Sequence, residues 1–326
     1  MSSGRVLALA RHEYRAAWRS RILLTLVAIL AATTFVSVLT AALDYRGQLA
    51  DYQAYVQVAT AGGVTRIPPS PLALLSLLRG AMEYVEILGA VIALALGYLT
   101  ISRERANGTL PLLRSRPVTP GEQAAGSALG ALAVLSTLVA STAVVGVLCL
   151  GVIGRDWPSP GQGVQLLLAY LAAVVYMGVF YAVGVVATAR SRVATTGLMV
   201  ALGIWLLVVL IIPQIGDTLD ADNQVPGGLF TALGLDRNGE TAVLAHFSGY
   251  EHVRNWIEEA SVSKHFERFA FAMTDVKEKY RGFTLGQLLT EKRNDIGWLA
   301  FYATALGTAM WRSFRRVPPT PQGGTA

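Results

Sequence analysis

Glu83 and Glu86 lie at the edge of the apolar run 84–101. Carboxylates in a membrane segment mark a substrate or ion path by default. Arg79 stands four residues before Glu83, however, the spacing of an ordinary ion pair on a helix surface, so a structural role competes with the functional one. His246, His252 and His265 share one polar stretch. Their spacing is irregular, with no i, i+4 pair, and no metal site is expected from them. Cys149 is the single cysteine, which excludes an intrachain disulfide, a cysteine cluster and a redox pair. No Gly-x-x-x-x-Gly-Lys-Ser/Thr loop, His-Glu-x-x-His helix or Gly-x-Ser-x-Gly elbow occurs. The chain is therefore not expected to be an enzyme or to hold a cofactor of its own.

The stretch 102–120 offers mechanical work instead of chemistry. Gly108 permits backbone angles closed to other residues. Thr109 suits an N-cap, and Pro111 falls in the first turn, where a missing N–H costs nothing. Leu110 and Leu113 then share one side of a helix over 109–116, and Pro117 ends it. Thr119-Pro-Gly-Glu122 is a capping box with proline at the first helical position, so a new helix starts at once. The expected product is a short, basic helix between two apolar runs, shaped as a handle.

The run Glu104-x-x-x-Gly108-Thr109-Leu110-x-x-Leu113-x-x-x-Pro117-Val118 resembles the signature of permease subunits of ABC exporters, nearest the branch containing the permease of nitrous oxide reductase maturation (NosY-like, type V exporter fold). The resemblance extends to residues 10–21 and 197–205. Pro120-Gly121 stands where that family often has a basic residue, and Gly126-Ser127 where it has Gly-Lys. The resemblance implies that Glu104, Gly108, Thr109, Leu110, Leu113, Arg114 and Pro117 couple the chain to a separate ATPase subunit, which would carry ATP and Mg. It also implies a second permease copy, identical or paralogous.

Composition agrees with a membrane protein. Of the residues 53% are apolar and 15% charged, against ~25% charged in an average soluble domain. The net charge of +6 is a matter of topology and implies no nucleic-acid partner. No cleavable signal peptide is expected, because the first apolar run follows five arginines and is too long.

These features predict an all-α membrane protein with six transmembrane helices. Residues 1–21 are read as an interfacial helix, with Arg11, Arg15 and Arg19 on one face and Leu7, Tyr14 and Trp18 on another. Helices one to five fall within 22–213: 22–43, a second through 84–101, 120–153, 160–190 opened by the box Ser159–Gln162, and 194–212 ending at Pro213. The sixth occupies 294–314, with a possible start near Thr284, and 315–326 is a disordered tail. Gly126, Gly130, Ser136 and Ala140 suit close packing within the chain or across a dimer.

Arginines crowd one side. They are Arg5, Arg11, Arg15, Arg19 and Arg21 in the arm, Arg103, Arg105, Arg114 and Arg116 around the handle, Arg190 and Arg192, and Arg312, Arg315 and Arg316. The acids there are Glu13, Glu104 and Glu122. That side is expected to be cytoplasmic, with both termini, in the inner membrane of a prokaryotic cell. The opposite side carries a loop, 214–293, in which acids outnumber bases and 250–281 read as one helix. This loop is expected to be a lid or a docking surface for an external protein.

Two functions compete. One is the permease of an ATP-driven exporter; the other is a membrane anchor or assembly factor whose external loop holds a partner.

Overall fold

The computed structural model describes residues 2–62, 73–106, 119–218, 233–235, 239, 242–243, 249, 256–280 and 282–315. Helix α1 spans Ser3–Trp18 and α2 spans Arg21–Ala61. A 3-10 turn, Leu74–Leu78, leads into α3 (Arg79–Tyr84) and, through a π-helical turn at Val85–Gly89, into α4 (Ala90–Ala106). Then come α5 (Pro120–Leu148) with a π turn to Ile153, α6 (Pro160–Arg190), and α7 (Ala194–Trp205) with a π turn at Leu206–Ile211 into α8 (Ile212–Thr218). Last are α9 (Val262–Met273), α10 (Leu285–Glu291) and α11 (Arg293–Phe314). No strand occurs among the described residues.

Most boundaries follow local chemistry. The capping boxes Thr119–Glu122, Ser159–Gln162 and Thr284–Gln287 are all formed, each satisfying otherwise orphaned N–H groups. Five helical stretches are long and apolar enough to cross a membrane: Arg21–Ala61, Leu74–Arg105, Pro120–Ile153, Pro160–Arg190 and Ala194–Ile215. α11, at 22 residues, has the length but is not among them.

Three expectations need correction. The first apolar helix does not end at residue 43; α2 has 41 residues, about 60 Å at ~1.5 Å per residue, twice the ~30 Å hydrocarbon core. Pro213 does not end the fifth. The backbone widens into a π turn just before it, which absorbs the missing N–H, and the helix runs on to Thr218. The stretch 250–281 is not one helix. Residues 250–255 lie outside the described set, Ser261 is extended and caps α9, and Asp275 takes a positive φ of 51° beyond its end.

The long helices pack closely where side chains are smallest. A Cβ on Gly97 of α4 would stand 2.3 Å from the Tyr181 carbonyl, and one on Gly184 of α6 would stand 2.3 Å from that of Leu94. The two backbones therefore touch. Gly126 and Gly130 do the same for α1, meeting Leu9, Glu13 and the Ala10 carbonyl. Half of the small-residue stripe in α5 thus serves packing within the chain. α1 does not spread away from the bundle, as an independent interfacial helix would. It runs beside α5, from Ser2 N donating to Glu122 (2.7 Å) to Tyr14 Oη against Thr137 Oγ1 (3.3 Å).

Glu13 sits in that seam. Burial and then the Glu104 carboxylate push its pKa from 4.5 up to about 7, with Arg103 opposing. The packed state thus favours the neutral acid. Its contribution to stability is full below the unfolded value and is lost as pH rises through the folded one. The purified protein should lose thermal stability between about pH 4.5 and 7, and Glu13→Gln should flatten that slope. An unchanged slope in the variant would place its origin elsewhere.

Candidate functional site

Helix α9 packs into the bundle and is buried on nearly every face, from Val262 to Phe266 and from Phe269 to Met273. Its entry point is set by a backbone deficit. In the π turn of α7 the Ile212 N–H bonds to the Leu207 carbonyl, five residues back. The next donor in that ladder is residue 213, a proline with no N–H, so the ladder supplies no donor to the Val208 carbonyl. Ser261 Oγ donates to that oxygen at 3.0 Å and also accepts from Lys264 N, capping α9. One hydroxyl fills a gap in α7 and starts α9.

Further polar contacts hold the helix. Ser263 Oγ donates to the Glu86 carboxylate, and Tyr176 Oη donates to the Glu86 carbonyl at 2.9 Å, within the π turn that joins α3 to α4. Phe266, fully buried, stacks on Tyr176 at 4.6 Å between centroids. His265 lies between two acceptors, Asp295 Oδ1 at 2.8 Å through Nδ1 and the Glu259 carbonyl at 2.9 Å through Nε2, with Trp298 stacked at 5.6 Å. Lys292 Nζ is 3.4 Å from the other Asp295 oxygen, and Tyr302 Oη donates to the Ala260 carbonyl. Lys264 pairs with Glu267 at 3.0 Å, and Arg268 with Glu258. Buried charges survive only when paired in this way. α9 is thereby tied to the α3–α4 turn, α6, the π turn after α7, and α11 together.

At the other end of the bundle, side chains clamp both flanks of the handle. Gln123 Nε2 donates to Glu104 Oε1 at 2.7 Å. Arg105 donates to the Ser191 and Ala189 carbonyls at 2.9 and 3.1 Å, a cation on the terminal carbonyls of α6. Glu122 accepts from Ser2 N and Thr119 N, with Arg5 3.9 Å away.

The two acidic candidates separate. Glu83 makes the expected pair with Arg79, 2.7 Å and exposed, worth ~0–1 kcal/mol. Glu86 is buried and meets α9. Glu104 is clamped to Gln123. Gly108, Thr109, Leu110, Leu113, Arg114 and Pro117 lie outside the described residues, as do His246 and His252. Sequence reasoning missed Ser261, Ser263, Tyr176 and the His265–Asp295 pair. Only Pro213, inside a helix that had to continue, carried a signal for the first of them.

The architecture is that of a multi-pass helical membrane protein with a helix pinned by polar contacts at one end and, at the other, clamped residues on either side of 107–118. The chain belongs to the ABC-2 transporter family: the family model described as "ABC-2 family transporter protein" matches residues 7–302. It is the membrane permease component of an ABC transporter, and the family implies an ABC ATPase subunit as partner. No curated protein matches the chain.

Ser261→Ala should destabilise the protein by ~1–3 kcal/mol for the orphaned carbonyl, plus about 1 kcal/mol for the lost cap. In a Pro213→Ala background, where a backbone N–H is restored, the same change should cost at least ~1 kcal/mol less. Thermal unfolding of the four proteins measures the coupling, and strictly additive costs would refute the shared role of this hydroxyl.

Proposed function

We propose that the chain is the permease of an ABC exporter of the NosY-like branch, with six membrane helices, α11 being the sixth. It would work as a pair of permeases with a pair of ATPases in a prokaryotic inner membrane. The arginine distribution supports a cytoplasmic handle and cytoplasmic termini. In this reading the ATPase docks on residues 109–116 through Leu110 and Leu113, and ATP and Mg are bound there, not on this chain.

The observation that carries the reading is the mechanical continuity from Glu104 and Arg105, just before the handle, to α9. The stretch Leu74–Arg105 is a single helical rod. One end of it is clamped through Glu104 and Arg105 beside the handle, and Glu86, about 27 Å away along the axis at ~1.5 Å per residue, holds Ser263 of α9. Movement of the docked ATPase would tilt this rod and load the contacts that keep α9 in place. α9 then acts as the gate on the far side, in the manner of alternating access.

Replacing Leu110 and Leu113 by Asp puts charges against an apolar docking groove, at a cost of several kcal/mol. The variant should still insert in the membrane but retain under about a tenth of its ATPase on co-purification. Undiminished co-purification would remove the docking role of 109–116.

A further inference from the structure

A groove of about 650 Å³ runs between α5 and α6, within two of the membrane-spanning stretches. That is the size of small-ligand sites, roughly 300–1,000 Å³. Its walls are hydrocarbon, and Ser136 and Tyr170 contribute the only hydroxyls in the lining. The Tyr170 hydroxyl lies beside Gly146, where a Cβ would also meet Leu78. Val144, Leu148, Leu167 and Leu171 are exposed, so the groove opens sideways from the bundle.

Its dimensions and its rim identify an occupant. From Ser136 to Leu148, α5 rises about 18 Å, close to the ~15 Å of one leaflet and well short of the whole ~30 Å core. The enclosed part of the groove thus matches the depth that one acyl chain reaches. Trp157 closes one end and lies against Gly151, where a Cβ would come within 2.3 Å of the indole. A tryptophan in that place marks the membrane–water boundary. Arg155, two residues earlier, is exposed and held at φ 57°, and the neighbouring Asp156 carboxylate accepts from Tyr45 Oη at 3.3 Å. That end therefore carries an exposed cation beside an exposed carboxylate, and apart from Ser136 and Tyr170 the lining beneath is hydrocarbon.

We propose that this groove holds one acyl chain of a bilayer phospholipid, from the leaflet at the Trp157 end, with its phosphate at Arg155. None of the lining residues belongs to α9 or to 109–116, so the site stands or falls independently of the transport reading. A lipid seated there would brace α5 against α6.

The test uses the full-length protein in nanodiscs of phosphatidylcholine and phosphatidylglycerol. The probe is a phosphatidylglycerol tracer carrying a diazirine midway along one acyl chain. After irradiation, peptide mapping should find adducts concentrated on residues 139–148 and 166–171. Ala140→Trp should cut that labelling by about fivefold or more, while leaving labelling of the exposed face of α7 unchanged. Val144→Trp, at the exposed rim, is a second filling variant that spares the core. Arg155→Glu should lower tracer labelling at least about twofold. Labelling spread evenly over all lipid-facing helices, or unchanged in both filled variants, would overturn the proposal. So would a disulfide between two copies of an Ala140→Cys variant in a Cys149→Ala background, which would give the groove to a second chain.

Discussion

A proline without an N–H sets the terms for the half of the bundle that holds α9. In the π turn before Pro213 the helical ladder leaves the Val208 carbonyl without a donor. Away from bulk water an unpaired carbonyl costs about 1–3 kcal/mol. The Ser261 hydroxyl supplies the missing donor at 3.0 Å, and the position of α9 follows from it. Once α9 starts at that point, its second residue faces Glu86, its fourth faces Asp295 and its fifth stacks on Tyr176.

The same economy recurs at the other wide turns. Tyr176 from α6 donates to the Glu86 carbonyl within the π turn between α3 and α4. After α5, the Gly154 N–H reaches the Cys149 carbonyl and the Asp156 N–H reaches that of Leu150. Wide turns are frequent at functional sites, because they free backbone groups to bond elsewhere. Here two of the three lie against α9, and their freed carbonyls are bonded by hydroxyls from other elements. The helix is thus held by several polar contacts of modest strength, while Phe266 and its neighbours supply apolar burial.

Much of the scaffold was legible because helix ends are local. Thr119, Ser159 and Thr284 each precede a Glu or Gln at the capping-box spacing, and all three start helices. Ser261 went unread because Lys264 stands where the Glu or Gln would be, so no box announced the cap. The role of Pro213 was misread as a stop, since the rule for an α-helix does not anticipate a turn that widens to admit it. The partners of α9 and α1 depend on which faces meet in space, which periodicity alone does not give. Gly126 and Gly130 signalled close packing, but only the fold shows that α1 is what packs there. Of the paired carboxylates, spacing identified the partner of Glu83, whereas Glu86 takes its partner from a residue far along the chain.

The central claim is that α9 is an integral, pinned part of the bundle and not a loose external loop. Hydrogen–deuterium exchange of the full-length protein, read on peptides covering 262–273, tests it most directly. The account predicts amide protection in that stretch lasting on the order of an hour, as in the core of α6. Exchange complete within seconds, at the rate of an exposed loop, would contradict it.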